Sequence, residues 1–297
     1  MGRRGKARRP VAKLHIGEWQ IEYQERGRGV PVVLTPGGRW AGYVMDTLAA
    51  ELARDLRVVT WDRSNTDGAS SVILAGEGSE ADLWADQLAG LIRALDLAPC
   101  YVGEYAGCRT TPLLCVKYPS LAKGLMLAWP SGGEVPAERL PRNMHRPYIR
   151  AALRSGMEAV AQTPMFAASI RKNPANRRLL LASEPLQFAR QMAYWEAYFT
   201  TSADLPTAGC RLSENEWRSI GVPASVTGGV DPMHETAAAQ RIHGLLPHSS
   251  YHDPVVTLEE WDAVFNVKPY PETSRLQGSR IAPVWRDFIR ATEARAA

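Results

Sequence analysis

The sequence lacks the features that mark several large classes of protein. Its 297 residues include four cysteines, which form no CxxC pair and no zinc-ligand spacing. Because a scaffold of disulfides is not expected in a chain of this length, we interpret the cysteines as reduced, packed thiols. No apolar run approaches the roughly 18 residues that span a bilayer, so we expect no membrane association. The four cysteines are Cys100, Cys108, Cys115 and Cys210.

Motifs for cofactors and for secretion are also missing. No GxGxxG follows a predicted strand, and there is no mononucleotide loop and no cluster of metal-ligating residues. We therefore expect no cofactor and no metal. The basic residues near the start of the sequence are not followed by an apolar stretch of the kind found in secretory signals, which favours a cytoplasmic protein.

The charge of the chain is unevenly distributed. The formal net charge is +4, but six basic residues precede the first acidic residue, Glu18, so the rest of the chain carries −2. We predict a basic, flexible arm at residues 1–16, and a solvated arm is favoured over one that binds nucleic acid or a membrane surface. No specific nucleic-acid partner is expected. The six residues are Arg3, Arg4, Lys6, Arg8, Arg9 and Lys13.

The rest of the sequence has the composition and the alternation of an α/β protein. Apolar residues make up 45% and charged residues 22%, as in ordinary globular domains. Short apolar runs predict strands at 32–34, 57–61, 100–102, 125–129 and 222–229. Apolar residues at helical spacing predict helices at 48–56, 82–95, 106–118 and 281–292. Strands that alternate with helices favour a parallel sheet with helices on both faces.

The middle of the chain has a different character. Residues 136–213 contain several helical patterns and no convincing strand, so we predict a helical cap at 136–215 between two parts of the α/β core, 17–135 and 216–297. Trp195 and Tyr198 belong to an aromatic group at helical spacing in this segment. They are candidates for contact with a small apolar or aromatic ligand, and packing within the helices is the alternative interpretation.

The sharpest local motif reads VGEYAG at residues 102–107. A predicted strand ends there, two glycines flank three residues, and a helix pattern begins at Ala106. The spacing is that of the G-x-S-x-G nucleophile elbow, in which small neighbours allow a strained turn to expose one side chain above the sheet. Tyr105 occupies the position of the nucleophile.

Further motifs occur in a consistent order, and together with the elbow they resemble the α/β-hydrolase superfamily over most of the chain. PGG at 36–38 is similar to the oxyanion loop, DRSNTDGAS at 62–70 to the family's D-x-R-G-x-G-x-S segment, and GGVDP at 228–232 to the strand end that carries the triad acid. The resemblance implies an α/β-hydrolase fold with a mostly parallel central sheet, helices on both faces and a helical cap insertion. It also implies that Asp231 is the acid and that the amides of Gly38 and Ala106 are the oxyanion donors.

Two departures from this pattern affect the chemistry. The nucleophile position holds Tyr105, and no histidine occupies the family's late position, where the sequence reads LEEW at 258–261. The Ser–His–acid relay is therefore not intact. His234, three residues after Asp231, and His252 are the candidate partners of the acid.

A tyrosine at the elbow suggests proton transfer more than nucleophilic attack. The ordinary pKa of a phenol is about 10, and a nearby cation such as Arg109 or a helix N-terminus would lower it. Tyr105 could then act as a general acid or base, or it could be an inert residue that fills the pocket. Glu104 and Arg109 are candidate substrate-binding residues, and a structural ion pair of Glu104 with Arg109 or Arg63 is the alternative.

The sequence thus favours a cofactor-free enzyme that acts on a small apolar or aromatic carbonyl compound. Hydrolysis is the first hypothesis, with Tyr105, Asp231 and His234 as catalytic residues. A lyase, isomerase or cyclase that uses Tyr105 as its acid or base is the second, and a non-catalytic ligand-binding protein is the third. The expected partner is a small-molecule substrate, and a homodimer is left open.

Overall fold

The computed structural model describes residues 11–265 and 270–296, and the side chains of residues 265 and 270–274 lie outside the description. Its centre is one sheet of eight strands in the order β1-β2-β4-β3-β5-β6-β7-β8. The strands are β1 (Ala12–Ile16), β2 (Trp19–Arg26), β3 (Pro31–Pro36), β4 (Arg57–Trp61), β5 (Cys100–Gly107), β6 (Ala122–Pro130), β7 (Ala224–Thr227) and β8 (Ser249–His252). β1 pairs with β2 and β2 with β4 in antiparallel fashion, and all other pairs are parallel.

Twelve α-helices lie in the described ranges. They are α1 (Asp46–Leu52), α2 (Glu80–Ala94), α3 (Thr110–Lys117), α4 (Glu134–Met144), α5 (Arg146–Ala161), α6 (Pro164–Lys172), α7 (Ala175–Leu181), α8 (Pro185–Thr200), α9 (Glu214–Ser219), α10 (Thr236–Leu245), α11 (Leu258–Phe265) and α12 (Tyr270–Ala296). None of the helices in these ranges has the length and apolar character needed to cross a bilayer.

The two faces of the sheet are covered by different helices. On one face, Leu88 and Ile92 of α2 lie in a buried apolar cluster that also contains residues of α3 and α10. On the other face, Leu48 of α1 and Trp285 of α12 lie in a second cluster. The central strands are almost continuously apolar because both of their faces are buried. The predicted fold class, a mostly parallel sheet with helices on both faces, is confirmed.

Helices α4–α8 lie between β6 and β7, and we call them the insertion. All of residues 131–223 are described, and they contain helices and no strand. A third apolar cluster, which includes Phe166, Phe188 and Trp195, contains residues of α5–α8, whereas Ala137 and Met144 of α4 belong to the first cluster. The helical character of the middle segment is as predicted, whereas the domain bounds at 136 and 215 stay a prediction.

The predicted flexible arm is too long. Residues 1–10 lie outside the described residues, but β1 begins at Ala12 and pairs with β2, from Ala12 opposite Tyr23 to Ile16 opposite Trp19. The side chains of β1 alternate between partly buried and exposed positions. Ile16 packs so closely against α2 that a Cβ at Gly90 would lie 2.7 Å from its Cγ2 atom. This packing orders a segment whose basic residues had suggested a solvated arm.

The connection from β5 to α3 also differs from the prediction. The strand continues through Gly107, and α3 begins at Thr110 and not at Ala106. Ala106, Gly107 and Cys108 have φ angles of 66°, 96° and 56°. Since a right-handed helix requires negative φ, these three residues cannot be its first turn.

Candidate active site

The residues singled out in the sequence converge on the edge of the sheet where the parallel strands end. The loop at Gly37 and Gly38 follows β3, the elbow motif forms the last residues of β5, and Asp231 follows β7. Carboxyl ends of parallel strands are where α/β proteins form their sites. The contacts of each segment show what this edge can do chemically.

Tyr105 lies inside the protein and does not project from a sharp turn. Its side chain is 3% exposed, and its ring packs edge-on against the indole of Trp129, with 5.0 Å between the ring centroids. Trp129 lies near the end of the neighbouring strand β6 and has a φ of 57°, which is strained for a bulky residue. Tyr105 is therefore buried and packed against its neighbour on β6.

Glu104 makes neither of the ion pairs considered from the sequence. No guanidinium lies within 4.0 Å of it among the described residues, so that expectation is wrong. Its Oε2 atom instead accepts hydrogen bonds from the amide of Thr111 at 2.8 Å and from the Thr111 hydroxyl at 3.1 Å. A carboxylate at a helix N-terminus offsets the positive end of the helix dipole. Glu104 therefore offsets the positive end of α3.

The loop after β3 is held by a buried arginine. Arg63 donates from Nη2 to the carbonyl oxygens of Gly37 at 3.0 Å and Gly38 at 2.9 Å, and its guanidinium lies 4.2 Å above the ring of Trp84. Burial lowers the pKa of Arg63 to about 10, so it stays charged at neutral pH. Since a Cβ at Gly37 would lie 1.9 Å from the carbonyl oxygen of Ala106, only glycine fits there.

Asp231 and His234 form a hydrogen-bonded pair just after β7. His234 Nδ1 lies 2.9 Å from Oδ2 and 3.2 Å from Oδ1 of Asp231, and the amide of Met233 donates to Oδ1 at 2.9 Å. Burial would raise the pKa of Asp231, but the hydrogen bond and charge of His234, with the Met233 amide, hold it below its usual range. With Nδ1 bound to a carboxylate, Nε2 of the imidazole is the nitrogen left to act as a base.

Gly229 lies in a tight space between His234 and Trp129. A Cβ at Gly229 would lie 2.2 Å from the carbonyl oxygen of His234 and 2.4 Å from Cδ1 of Trp129. The His234 ring also lies 6.4 Å, centroid to centroid, from that of Trp261. Tyr105, Trp129 and His234 are therefore neighbours in one packed group at the end of β5, β6 and β7.

The remaining candidate residues have different surroundings. Trp195 is buried within the insertion, whereas Tyr198 hydrogen-bonds exposed Tyr194 at 3.1 Å between hydroxyl oxygens, which raises the pKa of Tyr198 to about 12. His252 is half-buried, with Nε2 3.3 Å from the Ser250 hydroxyl, and burial lowers its pKa. Of the two histidines considered as partners of Asp231, His234 is the one that it hydrogen-bonds.

Arg109 is fully enclosed between the elbow and the insertion. Its side chain donates from Nε to the carbonyl oxygen of Ala208, and its guanidinium lies 5.0 Å from the ring centroid of Phe199. Its Nη2 atom is buried and has no hydrogen-bond partner among the described residues. Burial lowers the pKa of Arg109, and its interactions with Cys210 and Glu104 oppose this shift.

A buried ionic cluster near this edge was missed in the sequence. Arg39 binds both carboxylate oxygens of Glu80 at 2.8 Å, and Asn65 donates to Oε1 at 3.0 Å. Arg39 also donates to the carbonyl of Met144, and His145 Nε2 lies 3.5 Å from Glu80, so the cluster joins the loop after β3 to the insertion. Its partners are up to 105 positions apart, and no local pattern in the sequence connects them.

Among the described residues, no three His, Cys, Asp or Glu side chains are grouped so that they could hold a metal ion. A carboxylate–imidazole pair, Asp231–His234, lies at this edge of the sheet with its aromatic neighbours. Such a pair can take a proton from water or from a substrate, provided that a ligand reaches Nε2.

Comparison with known proteins gives one short sequence match and many structural ones. No protein-family model matches the chain. Over 110 residues, which are 37% of its length, the chain is 31% identical to the putative carbamate hydrolase RutD of Pantoea ananatis. The match spans about two fifths of RutD, 39% of its length.

Solved structures match over almost the whole chain. A thermophilic esterase from Thermogutta terrifontis has a TM-score of 0.63 at 19% identity, covering 95% of this chain and 99% of its own. An enol-lactonase from Burkholderia xenovorans has a TM-score of 0.59 at 16% identity, covering 94% and 100%. A hydrolase from Pseudomonas aeruginosa has a TM-score of 0.60 at 16% identity, covering 94% and 98%. With its strand order and these neighbours, the chain has the α/β-hydrolase fold.

Proposed function

We propose that this chain is a cofactor-free enzyme that hydrolyses a small, largely apolar or aromatic carbonyl compound by activating water on the Asp231–His234 pair. The observation that carries the proposal is the 2.9 Å hydrogen bond between His234 Nδ1 and Asp231 Oδ2 at the end of β7. The names of similar proteins, a carbamate hydrolase, an esterase and an enol-lactonase, support hydrolysis as the reaction class.

The chemistry follows from the state of the imidazole. Asp231 accepts a hydrogen bond from Nδ1–H, which leaves Nε2 free to take a proton from water as the water oxygen attacks the carbonyl carbon. The imidazolium that forms is stabilised by the Asp231 charge, and it returns its proton to the leaving group as the bond to the carbonyl carbon breaks. The amides of Gly38 and Ala106 are the proposed donors to the oxyanion.

This scheme needs no nucleophile at position 105. Because the elbow residue is a buried tyrosine, we assign Tyr105 a supporting role, in which its ring holds Trp129 against the Gly229 segment. In a lyase, isomerase or cyclase, the Tyr105 hydroxyl would instead exchange a proton with the substrate. The two schemes differ in which variant loses activity.

A non-catalytic binding protein is the second candidate function. The burial of Tyr105, of Trp129 and of Arg109 favours it, because these side chains, at or just after the ends of β5 and β6, are not exposed to a substrate. Such a protein would bind a ligand and release it unchanged.

A panel assay tests these proposals. Purified wild type, His234→Gln and Tyr105→Phe are incubated with small aryl esters, aryl carbamates, enol-lactones and aromatic β-ketoacids, with exposed His248→Gln as the matched control. Water activation predicts hydrolysis that falls by about two orders of magnitude or more in His234→Gln and by less than tenfold in Tyr105→Phe. Loss of turnover in Tyr105→Phe alone supports the lyase scheme, and silence of the wild type on every substrate supports the binding protein.

A further inference from the structure

The outer surface of the insertion combines exposed apolar side chains with positive charge. Eight large apolar side chains are exposed in the described ranges, and five of them lie in the insertion. Residues 146–190 contain eight basic residues and two acidic ones, Glu158 and Glu184, so this segment carries a formal charge of +6. All other residues of the chain together carry −2. The five apolar side chains are Leu153, Leu179, Leu181, Leu186 and Tyr194.

On α5, one exposed leucine lies between two exposed arginines. Arg150, Leu153 and Arg154 are three and four positions apart, so they project from the same face of the helix. Leu153 is 57% exposed, whereas Ala152 on the opposite face is buried in the third apolar cluster. The core of the insertion therefore uses one face of α5, and Leu153 takes no part in it.

Helix α7 repeats this arrangement. Arg177 and Arg178 lie four and three positions before Leu181, and all three are exposed, whereas Leu180 is buried in the third cluster. An ion pair of 2.8 Å between Arg177 and Glu158 places α7 beside α5. We call the outward residues of the two helices the arginine–leucine face; they are Arg150, Leu153, Arg154, Arg178 and Leu181.

The charge of this face is not balanced by neighbouring acids. Arg177 uses Glu158, the acidic residue nearest to it on α5. Arg150, Arg154 and Arg178 form no ion pair with any residue that the structure describes. A partner that covers the arginine–leucine face must therefore be negatively charged and must also accept apolar side chains.

Of the large anionic partners, a lipid bilayer meets both requirements. A nucleic acid would pair its phosphates with the arginines, but it is bound through charge and through stacking on aromatic side chains, and leucines contribute to neither. Anionic headgroups also attract arginine, and the acyl chains just beneath them accept leucine.

We propose that the arginine–leucine face binds the surface of a bilayer that contains anionic phospholipids. The arginines pair with the headgroups, and Leu153 and Leu181 enter the boundary between headgroups and acyl chains. The expectation of no membrane association concerns spanning segments, and a face that lies on the bilayer needs none. This binding does not depend on the proposed hydrolysis.

Co-sedimentation of the full chain measures binding to vesicles of phosphatidylcholine, alone or with phosphatidylglycerol in about a 3:1 ratio. We expect the wild type to bind the anionic vesicles at least about tenfold more tightly than the neutral ones and to be released at about 0.5 M salt. Replacing Arg150, Arg154 and Arg178 together by glutamine should weaken binding at least about tenfold, because each arginine at such a surface contributes roughly a fivefold gain in affinity. Leu153→Gln combined with Leu181→Gln should weaken it about fivefold or more at unchanged charge.

A matched control removes the same charge elsewhere. Replacing Arg28, Arg54 and Arg275 by glutamine changes three exposed arginines outside the insertion, and this variant should bind within about twofold of the wild type. Thermal unfolding without vesicles shows that each variant is folded, as expected for changes at exposed positions. His234→Gln should bind vesicles as the wild type does, which separates this proposal from the proposed hydrolysis.

Four results would overturn the proposal. The first is wild-type binding that is absent, or equal on neutral and anionic vesicles, and binding to duplex DNA in its place would make nucleic acid the partner. The second is an equal loss in the matched control. The third is a leucine variant that binds like the wild type, which would show charge attraction alone. The fourth is loss of binding when Arg3, Arg4 and Arg8 are replaced by glutamine while the insertion variants still bind, which would assign binding to the start of the chain.

Discussion

Replacing Glu80 by glutamine should remove a large part of the acid dependence of stability. The Glu80 carboxylate is 3% exposed, and Arg39 binds both of its oxygens at 2.8 Å. Burial would raise the pKa of Glu80, but the charge of Arg39 and the His145 imidazole 3.5 Å away outweigh it and bring the pKa to about 2 from its usual 4.5.

The size of the effect follows from this lowered pKa. As the pH falls, the unfolded chain takes up the proton near pH 4.5, whereas the folded protein resists until about pH 2. The stabilisation is therefore complete above pH 4.5 and is lost as the pH falls towards 2. A tenfold change in proton affinity corresponds to about 1.4 kcal/mol, so Glu80 contributes about 3 kcal/mol to the free energy of unfolding at neutral pH.

Urea unfolding of wild type and Glu80→Gln between about pH 7 and pH 2 measures this contribution. The variant should have a free energy of unfolding that is lower by about 3 kcal/mol at neutral pH. The free energies of unfolding of the two proteins should converge as the pH approaches 2. Glu158→Gln is the matched control, because Glu158 is exposed and pairs with Arg177 at the surface, where an ion pair contributes little. If the free energy of unfolding of Glu80→Gln changed with pH in parallel with that of the wild type over the whole range, the reasoning would be refuted.

Three further predictions concern packing. Gly229→Ala should lower the free energy of unfolding by about 2 kcal/mol or more, because its Cβ would lie 2.2 Å from a backbone oxygen of His234. The control Gly221→Ala should not lower it, because no atom lies within 4 Å of the added Cβ. Equal stabilities of the two variants would contradict this prediction. The four cysteines are buried, with pKa values raised by burial to about 12 for Cys100 and Cys115, so Ellman's reagent should label no thiol until urea unfolds the chain, and rapid labelling of the native protein would contradict it. Arg63→Met should cost about 1–3 kcal/mol, because two backbone carbonyls lose their buried donor, and an unchanged urea midpoint would show that the loop needs no such support.

The fold was predictable because its signals are local. Apolar strands alternate with amphipathic helices, and the order of the short motifs follows the order of the strands at whose ends they lie. β1 shows where the same reasoning went wrong. The alternation of Ala12, Leu14 and Ile16 was present in the sequence, but the neighbouring basic residues suggested an arm, and the pairing with β2 determined the structure.

The candidate site was predictable only in part. Because only two residues separate Asp231 from His234, their contact could be predicted from the sequence. The elbow motif indicated the end of β5, but not the three successive positive φ angles or the bond from Glu104 to Thr111. The Arg39–Glu80 pair depends on side chains brought together from distant parts of the chain, and such contacts arise from the tertiary structure alone.

The most direct test of the proposed chemistry is the kcat of Asp231→Asn on the best ester or carbamate found for the wild type. Asparagine keeps the size of Asp231 but removes the charge that holds and stabilises the His234 imidazolium. The account predicts that kcat falls by about two orders of magnitude or more with KM little changed. A kcat equal to that of the wild type would contradict the account and exclude Asp231 and His234 as the catalytic pair.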